Sequence, residues 1–195
     1  MRTRTAGAVT LLLAAGTVGL LPGTAAAAPA DGRGATTEYK ATTQLGTAQG
    51  APLTVAAAVT RDTTGALVTP MEVYVDGLVC TPLGDLTASL VSLESATLTG
   101  SDVPVTCAPA GGQGLAATAG TVDVDLAWTG TGPTEREGRT GNRDHCVGRV
   151  LHRAAALTGS VTVTLEGGQP LTVGAADGHD SALSYYHTAC PPPAS

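Results

Sequence analysis

The sequence predicts an all-β fold, an antiparallel β-sandwich or jelly-roll-like single domain with disulfides, and three observations predict it. Apolar residues recur at every second position through several runs, the pattern of a strand with one buried face. Past the first thirty residues, no window keeps the i, i+3, i+4, i+7 stripe of an amphipathic helix. β-branched Thr and Val fill the runs, and Gly, Pro, Asp or Asn break them at roughly ten-residue spacing, as in sandwiches and barrels.

Residues 1–30 read as a secretory signal peptide. Arg2 and Arg4 give a positive start, Ala8 to Leu21 an apolar run, and Pro22-Gly23 a break before the small residues Ala25 to Ala30. Cleavage near Ala28–Ala30 is expected, leaving an all-β domain at 31–190 and a Pro-rich tail at 191–195. The apolar run is short for a membrane span. Absence of an Arg-Arg pair favours general export, and absence of a nearby Cys leaves no point for a lipid anchor. Loss of Arg2 and Arg4 takes the formal charge from −6 to −8, because all 16 acidic residues follow position 30. An acidic exported chain argues against nucleic acid as a partner. Only 13% of residues are charged, so Thr, Ser and Gly solvate the surface. A single lysine, Lys40, beside abundant Ala and Arg fits the codon bias of a high-GC genome.

The strands follow in order. Tyr39 to Leu45 and Leu53 to Val59 alternate, and Met71-Glu72-Val73-Tyr74-Val75-Asp76 repeats the pattern. The clearest run is Thr121 to Trp128, in which Val122, Val124, Leu126 and Trp128 share one face and Asp123 and Asp125 the other. Trp128 therefore reads as a core anchor. Val150 to Leu157 and Ser160 to Leu165 follow, the latter with Val161, Val163 and Leu165 inward. In Ser181 to Tyr186 the last two tyrosines point to opposite faces.

Four cysteines, Cys80, Cys107, Cys146 and Cys190, fall in the exported part. An even number in such a chain implies disulfides, and three connectivities are open. The preferred pairing is Cys80 with Cys107 and Cys146 with Cys190, each bridge contributing a few kcal/mol. The lack of any C-x-x-C argues against metal knuckles and redox chemistry.

One segment departs from alternation. Gly130 to Gly148 is almost devoid of apolar residues and reads as a long exposed loop, mobile when unbound. It carries Arg136, Arg139 and Arg143, and with Arg149 and Arg153 these make five arginines within 18 residues. Arginine forks bind carboxylate and phosphate, which makes this a candidate interaction loop. The plain alternative is a solvated loop whose charges are offset by Glu135, Glu137 and Asp144.

No other chemistry is spelled out. A G-x-S-x-G elbow is absent, although His145, His152, His179 and His187 leave a non-local triad open. No metal-binding spacing occurs, and Asp123 with Asp125 reads more plainly as a solvent face than as a Ca²⁺ pair. Glu72, Glu94 and Glu166 supply carboxylates, but one Trp, four Tyr and no Phe argue against sugar-cleaving or lectin sites. No cofactor is implied.

Val122-Asp123-Val124-Asp125-Leu126-Ala127-Trp128-Thr129-Gly130-Thr131-Gly132-Pro133, an Arg-containing loop, then Arg153-Ala154 and Thr158-Gly159-Ser160-Val161 resemble uncharacterised exported β-rich proteins of actinobacteria. An Ala96-Thr97-Leu98-Thr99-Gly100 strand running to Cys107 matches them too, so the resemblance covers roughly 94–165. It implies a secreted β-rich protein and no activity. Thr106-Cys107-Ala108-Pro109 and Gly141-Asn142-Arg143 are similar to pieces of the Streptomyces subtilisin-inhibitor family. There the cysteine spacing differs, and no Cys-Pro-Met-type reactive segment is present here, so no inhibitory site carries over.

The expected function is thus a secreted, non-catalytic β-module with a structural or interaction role toward a protein or the cell envelope. A small secreted hydrolase with a non-local site is the alternative, and an enzyme inhibitor presenting residues 130–148 is the third reading.

Overall fold

The alternation seen in the sequence builds a sheet that returns on itself. The computed structural model describes residues 34–46, 52–110, 117–140 and 147–190. In order, the strands are β1 (Gly34–Leu45), β2 (Leu53–Arg61), β3 (Leu67–Val68), β4 (Met71–Val75), β5 (Leu78–Pro82) and β6 (Thr87–Val91). Then come β7 (Ser95–Pro109), β8 (Thr118–Gly130), β9 (Glu135–Thr140), β10 (Val147–Leu165), β11 (Leu171–Gly174) and β12 (Gly178–Cys190). The signal-peptide, tail, Cys146 and Arg143 expectations lie outside the described residues.

All pairings are antiparallel. The path runs β1–β12–β10–β8–β7–β5–β4–β2, and β2 pairs back onto β1. The all-β antiparallel domain expected from the sequence is what forms, with each long strand beside its sequence neighbour in a meander. The short strands extend longer ones: β3 continues β4 along β2, β5 and β6 share one side of β7, and β8 and β9 share one side of β10. Pro70 and Pro82 stand where two of these lines break, each removing a ladder donor. Asp76 and Gly77, both at positive φ (48° and 78°), make the two-residue turn between β4 and β5.

The ring is flattened, so that it is sandwich-like. β6 lies over β1 and β2, and β8 over β12. Small aliphatics fill the interior: Val55 and Val59, Val73, Leu98, Val122 and Leu126, Val161 and Val163, and Leu183 are all essentially inaccessible. Trp128 is the largest of the buried side chains, and its indole N–H donates across the interior to the Thr42 carbonyl at 3.0 Å. Thr42 stands at a β-bulge, where β1 slips one residue against β12. On the outside, Ser89 pairs with Thr97 and Thr162 with Thr172 at 2.8 Å, hydroxyl ladders that solvate the sheet without charge.

Two segments differ from their sequence reading. Val150–Leu157 and Ser160–Leu165 are halves of one strand, joined through Gly159 at φ 96°. A Cβ there would sit 1.8 Å from the Asp125 carbonyl oxygen, so only glycine lets β10 pass β8 unbroken. Within the expected loop at 130–148, Glu135–Thr140 is a strand that pairs residue by residue with Val147–His152. Backbone pairing to β10, whose other side is held by β12, overrides the poor strand propensity of Glu-Arg-Glu-Gly-Arg-Thr.

Cys80 and Cys107 stand directly opposite each other on β5 and β7 and are joined as expected. Cys190 is also disulfide-bonded.

Candidate functional site

The site begins with the face of each strand. Odd-numbered residues of β10 point inward: Val161 and Val163 are buried, and Leu157, Ala155 and Leu151 pack on the core. The facing layer stops at the β6–β7 turn. There Gly130 N–H donates to Glu94 O at 2.7 Å, and Arg153 reaches Leu93 O at 3.3 Å and Gly132 O at 3.2 Å. A Cβ on Gly130 would meet Leu93 O at 2.5 Å. Trp128, Gly130, Gly132 and Arg153 therefore lock the end of the interior. They are structural.

Beyond that lock, β2, β1, β12, β10 and β9 stay paired side by side, and the face that was interior continues as a ledge whose described side chains are half-buried to exposed. Its first row is fixed by register: Arg61 opposite Tyr39, Tyr39 opposite Tyr185, Tyr185 opposite Leu151, and Leu151 opposite Arg136. Two residues further out, Thr37, His187, Arg149 and Gly138 form the second row. The rings touch. Tyr39 and Tyr185 centroids lie 4.8 Å apart, and Tyr185 and His187 lie in near-parallel planes (2°) at 6.4 Å. The Arg61 guanidinium stands 5.0 Å over Tyr39, a cation–π contact, and Thr37 Oγ1 is 3.5 Å from His187 Nδ1. Tyr39, Tyr185 and His187 are half-buried, while Arg136 and Arg149 are exposed. Among the described residues no acidic residue falls in these two rows. Glu38, Glu135 and Glu137 take the alternate positions and face the other way.

Of the candidate interaction residues, the structure brings Arg136 into the ledge. Arg139 stands opposite Gly148 in the backbone register, and its side chain, like Arg143, lies outside the described residues. Tyr39, Arg61, Tyr185 and His187 join Arg136 and Arg149 there without any local motif. Their signal was parity alone, since Tyr39 shares it with Ala41, and Tyr185 with Leu183, both fully buried.

The reverse face holds a second constellation. His152 Nδ1 is 2.9 Å from Ser184 Oγ, and His152 Nε2 is 3.6 Å from Glu137 Oε2. These are triad residue types, but the ring nitrogens are exchanged relative to a triad, which sets Ser on Nε2 and the acid on Nδ1, and Ser184 is only 6% exposed, between Lys40 and His152 in the ladder. A nucleophile needs an approach path and a pair of donors aimed at the developing oxyanion. The described residues around Ser184 supply neither, and the chain His152–Ser184 reads as a clasp across β10 and β12.

Elsewhere, a cavity of about 280 Å³ opens on the flank where β3 pairs only with β2 and β6 only with β7, between Thr69-Pro70 and Thr81-Pro82. Its one carboxylate, Glu72, accepts a 2.6 Å hydrogen bond from Tyr74 Oη. Asp123, weighed as half of a cation site, instead accepts from the Asp102 N–H at 2.8 Å and caps the β7 bulge, and no group of metal-binding side chains occurs among the described residues. No described helix is long and apolar enough to cross a membrane.

No family model, no curated protein and no solved structure matches the chain.

Proposed function

We propose that the protein is an exported, non-catalytic interaction module whose contact face is the basic and aromatic ledge. One observation carries this reading: the register aligns Arg61, Tyr39, Tyr185, Leu151 and Arg136 in a single row on one sheet face, with Arg136 exposed at its end. A sheet face is normally buried against another layer. Among the described residues these two rows instead hold Tyr and Arg, types enriched where proteins hold partners, and Arg136 and Arg149 are exposed. The partner is a protein or a component of the cell envelope, in keeping with the leader-like start, the disulfides and the likeness of residues 94–165 to exported actinobacterial proteins.

The test is retention of the secreted chain on envelope material from the producing cell. The triple variant Arg61→Ser, Arg136→Ser, Arg149→Ser is expected to lose retention while keeping its unfolding midpoint. Unchanged retention contradicts the reading. So does labelling of Ser184 by a fluorophosphonate, which would move the protein to the hydrolases.

A further inference from the structure

We infer that the flank where β3 and β6 part is a second contact site, separate from the ledge. It takes an extended peptide as an added strand on β6, and seats that peptide's lysine or arginine in the adjoining cavity. β4 and β5 pair from Val73–Cys80 to Val75–Leu78. Beyond Pro70 and Pro82 their lines part, β3 staying on β2 and β6 on β7. Among the described residues β6 has no strand on its other side. Alternate residues of an antiparallel strand direct N–H and C=O to that side, which makes it a template for a further strand. Edges are ordinarily blunted by charge, proline or a bulge, and β6, Thr-Ala-Ser-Leu-Val, carries none of these. Leu83 (67% exposed) stands in the turn leading into β6, and Val91 (53%) at its end. With Leu67 and Val68 of β3 they are four of the five large apolar side chains exposed among the described residues, so such surface gathers on the elements that border the parting.

The cavity fixes the chemistry of the occupant. Its volume of about 280 Å³ is small for a whole drug-sized ligand and suits one long side chain. Pro70, Met71, Pro82 and Leu86 wall it, and Glu72 is the one charged side chain that lines it. Apolar walls around a single carboxylate suit a cation on an aliphatic stem, the stem against the walls and the head on Glu72. Glu72 accepts one hydrogen bond from Tyr74 Oη, and a carboxylate has about four acceptor positions, so capacity is left for a cation. The exposed Asp85 lies between Gly84 and Leu86 of the lining, and the chain carries a formal −6, both of which favour a basic partner over an acidic one.

Direction follows from chain order. Leu86 lines the cavity, and β6 runs away from it, from Thr87 to Val91. A peptide laid antiparallel on β6, the commoner pairing, therefore runs toward the cavity. Its basic residue stands at the C-terminal end of a paired segment about 17 Å long. Main-chain hydrogen bonds along β6 supply affinity, and the cavity supplies the choice of side chain.

The experiment titrates the isotope-labelled full secreted chain with the peptide Thr-Val-Thr-Val-Thr-Lys, acetylated and amidated at its ends. Saturable shifts are expected in the Thr87–Val91 amides and the Tyr74 ring. Norleucine or glutamate in place of the lysine is expected to bind about tenfold or more weakly, and Glu72→Gln to bring the lysine peptide to the norleucine level. The indole N–H signal of Trp128 reports whether that variant is folded, and if it is not, the norleucine comparison on the unmodified chain decides. N-methylation of one alternate set of peptide residues is expected to abolish binding, and of the other set to leave it. Equal binding of the norleucine peptide overturns the cation site, and equal tolerance of both methylated sets overturns strand addition. Concentration-dependent dimerisation that protects the β6 amides without peptide overturns the inference in favour of a second copy. No binding of the lysine peptide overturns it outright, while envelope retention still decides the reading of the ledge.

Discussion

The indole N–H of Trp128 on β8 donates to the carbonyl oxygen of Thr42 on β1, 86 residues away in sequence and across the interior. Trp128 fills the volume where the two layers meet, and Thr42 is the residue at which β1 slips against β12. Packing and a polar tie are thus combined in one side chain. Trp128→Ala is expected to cost about 3–5 kcal/mol, the range for emptying an aromatic core site. Trp128→Phe keeps most of the volume, loses the donor, and is expected to cost about 1–3 kcal/mol. Denaturant unfolding measures both, and native fluorescence emission is expected to be that of a buried indole.

Gly159 predicts the steepest response of any glycine in a strand. Alanine there is strained by positive φ and meets the Asp125 carbonyl oxygen at 1.8 Å, against backbone that cannot swing away. Gly167 also has positive φ but open space around it. Gly159→Ala is expected to destabilise by several kcal/mol or to prevent folding, and Gly167→Ala by only about 1 kcal/mol. Comparable midpoints for the two variants would show that β10 bends to accommodate the methyl group.

Tyr74 gives a pH signature. Its hydroxyl donates to the Glu72 carboxylate, and that hydrogen bond, then partial burial, then the carboxylate's charge all hold the phenol protonated above its usual range. A raised value in the fold means the contribution is complete below the unfolded pKa near 10 and is lost as pH rises through the folded one. Ultraviolet titration is expected to find a tyrosine step above the usual range, that of Tyr74. Glu72→Gln should return that step toward the usual tyrosine range, and an unchanged late step would place that tyrosine elsewhere.

The cysteines make a chemical prediction. Cys80 is joined to Cys107 and Cys190 is disulfide-bonded, so no free thiol is expected on titration of the denatured, unreduced protein. Peptide mapping is expected to link Cys146 to Cys190 and so staple the end of β12. A Cys146 peptide that remains alkylatable without reductant would contradict this.

Much of the core was legible, because period 2 needs only local sequence. Val122, Val124, Leu126 and Trp128 are inward as alternation predicts, and so are Met71, Val73 and Val75, and Val161 with Val163. Tyr185 and Tyr186 do face opposite ways, Tyr186 being 37% exposed. Closure was not legible, since alternation says which face is buried but not that β1 finds both β2 and β12. β5 and β6 were hidden by their brevity and by Pro82 and Gly84. β9 was hidden by its composition, for its order comes from long-range pairing and not from its own residues. The ledge collects residues 37, 39, 61, 136, 149, 151, 185 and 187 through register, which no local window contains.

The central claim is that Glu135–Thr140 is a strand and that its pairing to Val147–His152 sets Arg136 beside Leu151, Arg149 and the ring platform. Amide hydrogen exchange of the native secreted chain tests it most directly. Alternate amides of residues 135–140 are expected to exchange slowly, and to share their protection with amides in the first half of β10, because an antiparallel ladder bonds every second residue. Exchange of all six at the rate of an unstructured peptide would contradict the account, returning these arginines to a loop and dissolving the ledge's far wall.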